Sequence, residues 1–123
     1  MELINLLEDI VGQFNSKINI VYQVDFTKHA KDQQVRHVSE TGKFIPTKEI
    51  VDTINNGIKK IITKLIINKI DIGDYILITD KSNDLNIVGV LKPVGEMIDF
   101  VVVTVMYKKD FKPQKNTKLI TLN

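Results

Sequence analysis

The sequence predicts an α+β fold: a twisted antiparallel sheet of about four strands with helices packed on one face, in the order α-β-α-α-β-β-β. Three observations carry this reading. Ile50, Val51, Ile54, Ile58, Ile61, Ile62, Leu65 and Ile66 form one wide apolar stripe at helical spacing. After Gly73 the apolar period falls from that of a helix to that of a strand. Upstream, Ile18, Ile20, Tyr22, Val24 and Phe26 occupy alternate positions. A striped helix and one-sided strands each need a partner surface, and laying the first on the second buries both.

Taken in order, Leu3, Leu6, Leu7, Ile10, Val11 and Phe14 predict an amphipathic helix over about 2–15. The alternation of 18–26 predicts a strand with one buried face. Thr27 can cap a helix over about 28–40, whose apolar content is thin: Ala30, Val35 and Val38. Thr41-Gly42-Lys43 breaks it. Thr47, after Pro46, is a second N-cap candidate, with Glu49 placed to complement the dipole of the striped helix. Gly57 interrupts that helix at a cost in propensity, a position suited to close packing. Tyr75–Thr79, Leu85–Leu91 and Ile98–Met106 read as strands. Ser82-Asn83-Asp84 and Pro93-Val94-Gly95-Glu96 join them as antiparallel hairpins. The run 100–106 is nearly all β-branched and reads as a central strand buried on both faces. Leu119–Leu122 suits a short edge strand.

With 123 residues the chain reads as one domain, 1–123, able to bury an ordinary core. It has no cysteine, which excludes disulfides and thiolate zinc sites and suits a reducing cytosol. Two histidines are too few for a His-rich metal site, so no metal or other cofactor is expected. The net charge of +2 is too mild to demonstrate nucleic-acid binding and does not exclude it. The N-terminal stretch carries Glu2, Glu8 and Asp9 and lacks a basic leader, and no apolar run reaches the roughly 18–20 residues of a membrane span. A soluble, cytoplasmic protein without membrane contact is expected. Sixteen lysines against one arginine, with abundant Ile and Asn, point to AT-rich coding, as in a low-GC bacterium or its phage.

The scarce titratable residues cluster. His29, Arg36 and His37, which are both histidines and the only arginine, fall on the helix over 28–40. His29 and Arg36 differ by about 20° around that helix and about 10 Å along it, with Gln33 between them. Arg36 leans back toward His29. A permanent planar cation beside an imidazole suits a phosphodiester. A merely solvated polar face accounts for the same residues equally well. Thr104 sits in an apolar strand, where Thr is at home in any case; its hydroxyl could also bond a phosphate oxygen. Lys108, Lys109 and Lys112, interleaved with Tyr107 and Phe111, read either as a backbone-binding and base-stacking segment or as a solvated basic tail. Lys92, at a strand end, is a weaker candidate of the same kind. The glycines form no phosphate-loop spacing, and no Ser-His-Asp or paired-carboxylate signature stands out.

The junction VDFTKHAKDQQVRH resembles the opening motif of the RelE/ParE-like small ribonuclease folds. That group takes in the colicin-type RNase domains, the RegB-like phage endoribonucleases and short toxin-like proteins with an F-T-x-H-A…R pattern. Phe26, Thr27, His29, Ala30 and Arg36 carry the match, and VVVTVMYK resembles the group's last core strand, with Thr104 at its polar position. The resemblance covers about Ile18–Phe111 and leaves the N-terminal helix as an addition. Relatives often carry a second Arg two to four residues after the first and a Gly-Ile turn; here His37-Val38-Ser39-Glu40-Thr41-Gly42 stands instead. The resemblance implies metal-independent RNA cleavage by 2′-hydroxyl attack, leaving a 2′,3′-cyclic phosphate. His29, Arg36, His37 and Thr104 would be catalytic; Gln33, Lys92, Tyr107, Lys108 and Lys109 would hold substrate. RNA is the implied partner, including ribosome-bound mRNA or tRNA, together with a neutralising antitoxin or a host protein. ParE-type relatives act on proteins without cutting RNA. A non-catalytic factor that binds nucleic acid or a host enzyme is therefore the competing reading, and a structural domain of a larger particle is a third.

Overall fold

The computed structural model describes residues 22–41 and 44–123. The expected helix over 2–15 and the strand start at 18–21 lie outside the described residues, as do the side chains of 37–41, His37 among them. The described chain runs β1 (Tyr22–Phe26), α1 (Lys28–Thr41), α2 (Thr47–Ile66), β2 (Tyr75–Asp80), β3 (Leu85–Val94), β4 (Met97–Tyr107) and β5 (Lys118–Leu122).

The fold is α+β, with two corrections to the expected sheet. Among the described residues it has five strands in the order β1-β4-β3-β2-β5, and it is mixed. The two hairpins are antiparallel as expected, but β1 runs parallel to β4 and β5 parallel to β2. The cause is connectivity. A hairpin loop reverses a strand, whereas β1 reaches β2 through two helices and β4 reaches β5 through the ten residues 108–117. Each long connection returns the chain in its original direction. The turn around Gly95 is shorter than the sequence implied: β3 runs on through Pro93 and Val94, leaving only Gly95-Glu96 as the loop. Gly95 takes φ 60°, which glycine adopts without a Cβ penalty.

The helices occupy one face, α1 over β4 and β1, α2 over β2 and β5. Their buried side, with Ala30, Ile50, Ile54, Ile58 and Ile61, meets Ile76, Ile78, Leu85, Ile87, Leu91, Phe100, Val102, Val105 and Ile120. The isoleucine stripe is therefore the centre of the core, although Ile66 at its end stays 53% exposed. Two buried threonines in α2 satisfy their hydroxyls locally, Thr53 donating to the Glu49 carbonyl and Thr63 to the Lys59 carbonyl, each at 2.8 Å. Asn68, with φ 62°, closes α2: its own N–H and those of Ile67 and Lys69 turn back to the last carbonyls. Gly57 is not a tight spot. A Cβ there would meet Ile120 and Ile78 at ordinary contact distances of 3.5 Å and beyond. The tight spot is Gly89 on β3, where the Phe100 ring would stand 2.4 Å from an added Cβ. The β-bulge between Val88 and Gly89 lies at the same point of the β3–β4 pair.

The opposite face carries the alternate residues, including Leu77, Thr79, Val88, Thr104 and Leu119. It has no helix among the described residues. Residues 108–117 cross it as a strap, with Phe111 and Pro113 against the sheet and a cavity on either side. The expected burial of β4 on both faces is corrected: Phe100, Val102 and Val105 are buried on the helix side, but the strap-side residues Val101, Val103 and Thr104 are only half-buried.

Candidate functional site

α1 starts where the sequence places it, because Thr27 ties the junction together. Its Oγ1 accepts from the Ala30 N–H at 3.1 Å and donates to the Val103 carbonyl at 3.2 Å, while its N–H donates to the Val102 carbonyl at 3.0 Å. The first turn of α1, and His29 within it, is therefore fixed to β4. Ala30 and Gln34 point inward. Gln34 is 5% exposed and its Nε2 donates to the Ile45 carbonyl and to Thr47 Oγ1, at 2.8 and 3.0 Å. Thr47 is accordingly not the N-cap of α2. Pro46 holds that position without a side-chain bond, and the Thr47 hydroxyl serves Gln34. Val35, counted on for packing, remains 63% exposed, since the inward side of α1 is set by Ala30 and Gln34.

His29, Gln33 and Arg36 fall together on a flank of α1. His29 and Arg36 are exposed and Gln33 half-buried. Gln33 Nε2 lies 3.4 Å from His29 Nε2. With the Gln33 amide N–H donating, His29 Nε2 is the acceptor of this contact. Arg36 is itself engaged in an interaction.

The other expected site residues are elsewhere. Thr104 lines a cavity of about 230 Å³ on the strap face, with Tyr75, Val88, Val103, Phe111 and Pro113. His29 belongs to the helix layer, and among the described residues no hydrogen bond joins the two. Tyr107 is not a stacking platform. It turns to the helix side and donates to Glu49 Oε2 at 2.7 Å, while Asn83 Nδ2 donates to Glu49 Oε1 at 2.7 Å. Burial, then the hydrogen bond and charge of Glu49, hold the Tyr107 phenol well above its ordinary range. Glu49 thereby fastens α2 to the sheet, beyond the dipole role its position implied. Lys108 and Lys109 line the second and larger cavity, beside Phe111. Lys92 stands on β3 directly opposite Asp99 of β4.

Two features escaped the sequence. Asp25 and Asp99, 74 positions apart, meet across the β1–β4 seam because Gln23 pairs with Asp99 and Asp25 with Val101. Asp99 is 4% exposed and its Oδ1 has no partner among the described residues. Burial, and then hydrogen bonding to and charge from Asp25, raise the Asp99 carboxyl above its ordinary value; Gln23 and Lys92 pull the other way. The second is Asn86, 1% exposed. It accepts from Thr79 Oγ1 at 3.0 Å and donates to the Asp84 and Lys108 carbonyls at 3.1 and 2.8 Å. A single strand asparagine gives no local sign of such a role. Only its neighbours in the sheet reveal it.

Among the described residues no three His, Asp or Glu gather as a metal-ligand set, and no helix is long and apolar enough to cross a membrane. Comparisons with protein-family models, with curated proteins and with solved structures match nothing to this chain.

Proposed function

We propose that this protein is a metal-independent endoribonuclease whose chemistry is carried by the outer flank of α1. The supporting observation is the His29–Gln33 contact on a helix start fixed to β4 by Thr27. It presents an imidazole nitrogen, weakly held at 3.4 Å, on the same flank as the only guanidinium of the chain. A ribose 2′-hydroxyl that displaces the Gln33 amide gives its proton to His29 Nε2. The 2′-oxygen attacks the adjacent phosphorus, the bond from phosphorus to the 5′-oxygen breaks, and that oxygen takes a proton from water while His29 returns its own to solvent. The products are a 2′,3′-cyclic phosphate and a 5′-hydroxyl. Arg36 stabilises the charge that gathers on the phosphorane oxygens. Thr104 and Lys92 have no place in this mechanism, since neither shares the α1 flank.

Labelled single-stranded RNA and total tRNA, incubated with the protein in EDTA, test the reading. The parent should leave cyclic-phosphate ends, and His29→Ala should cut about 10²- to 10⁴-fold more slowly, the usual worth of a general acid–base group. Equal cleavage by the two proteins removes His29 from the mechanism. No cleavage by either, with ribosomes present or absent, favours the non-catalytic binding factor.

A further inference from the structure

We propose that the larger cavity, beneath the start of the strap, binds a nucleotide through its phosphate and its base. The cavity holds about 390 Å³, within the roughly 300–1,000 Å³ of small-molecule sites. Lys81 reaches it from the end of β2, and Lys108 and Lys109 from the strap. None of the three ammonium groups forms an ion pair among the described residues. Asp84 and Asp110 at the rim leave one positive charge in excess. All three lysines are exposed and border one concavity, so a phosphate seated there meets ammonium groups from two different segments of the chain.

The frame is set before any ligand arrives. Asn86 ties Thr79, Asp84 and Lys108 together; the Lys108 N–H donates to the Asp84 carbonyl and the Lys81 N–H to the Leu122 carbonyl, each at 2.9 Å. The backbones that carry Lys81 and Lys108 are therefore held in place, which lowers the ordering cost of binding. Beside the cations lie Phe111, Leu77 and Leu119, the last 58% exposed, and the hydroxyl of Thr121. A purely inorganic anion leaves that apolar surface wet. A base covers it, by stacking on Phe111. Cation, aromatic ring and hydroxyl side by side define a nucleotide. This site lies on the strap face and is independent of cleavage at α1.

Titration of the ¹⁵N-labelled protein with UMP, AMP and inorganic phosphate at constant ionic strength decides the matter. UMP and AMP should saturate with a Kd of about 0.1–1 mM, shifting the amides of Lys81, Lys108 and Phe111. Phosphate should bind at least about tenfold more weakly. Lys108→Ala with Lys109→Ala should weaken UMP about tenfold or more, since charge-assisted contacts to phosphate are lost. Lys48→Ala, which removes an exposed charge paired with Asp52, should leave binding unchanged. Phe111→Ala should weaken UMP and leave phosphate as it was. Spectra of each variant report whether the fold is kept. No saturable shift by about 10 mM UMP or AMP overturns the proposal. Shifts confined to α1, phosphate binding as tight as UMP, or unchanged UMP binding by a folded double-lysine variant do so equally.

Discussion

The two faces of this sheet are built on different terms. The helix face is apolar and crowded: the α2 isoleucines meet Ile78 and Ile120, and Phe100 lies over Gly89 with no room for a methyl group. The strap face is held by polar bonds, with Asn86 as its bracket, and it keeps two cavities and a buried carboxyl with an unpartnered oxygen. Close packing leaves no space for a ligand. The loosely filled strap face does, so the molecule separates the surface that stabilises it from the surface that keeps open cavities. The α1 flank, exposed yet fixed by Thr27, stands at the edge of the first.

Substitutions can break that contrast. The largest effect is expected at Gly89→Ala, where Phe100 or the Val101 carbonyl has to move; denaturant unfolding should show a loss of about 1–3 kcal/mol. If stability is unchanged, the helix face is looser than its contacts imply. Tyr107→Phe comes next. It removes the hydrogen bond to the Glu49 carboxylate and should cost about 1.5 kcal/mol, with the cleavage of RNA by the folded variant unaffected. Reduced RNA binding at unchanged stability would return Tyr107 to the substrate side.

Asp99→Asn should act in the opposite direction. The Asp99 carboxyl is raised in the folded state, so the folded protein holds this proton more tightly than the unfolded chain does. The resulting stabilisation is complete below the ordinary carboxyl value and is lost as pH climbs through the raised one. At neutral pH an amide removes the buried charge, and a gain of about 1 kcal/mol is expected, shrinking on acidification. A loss at pH 7 would show that the Lys92 and Gln23 contacts outweigh burial. The smallest change is Gly57→Ala on α2. The methyl finds ordinary contacts and the helix gains propensity, so a stabilisation of about 0.5–1 kcal/mol should appear in thermal unfolding.

The contrast also governs what could be read in advance. The α2 stripe, the Thr27 cap and the two hairpins rest on local spacing, and each formed within a residue or so of its expected place, apart from longer strand ends around Gly95. The lysines next to Tyr107 give no sign of which side its ring takes; strand parity past the bulge turns it to Glu49. The parallel pairings of β1 and β5 depend on where long connections set the chain down, which no local pattern records.

The sequence by itself determined the α+β class, the buried stripe of α2, and the clustering of His29, Gln33 and Arg36 on one helix flank. All of these follow from periodicity within a single element. The tertiary structure alone decided that Thr104 and Lys108 stand apart from His29, that Asp25 meets Asp99, and that Lys81, Lys108 and Phe111 share one cavity. Those neighbours come from different strands and from the strap. Contacts between distant segments are fixed by strand order and register, which appear only when the whole sheet closes.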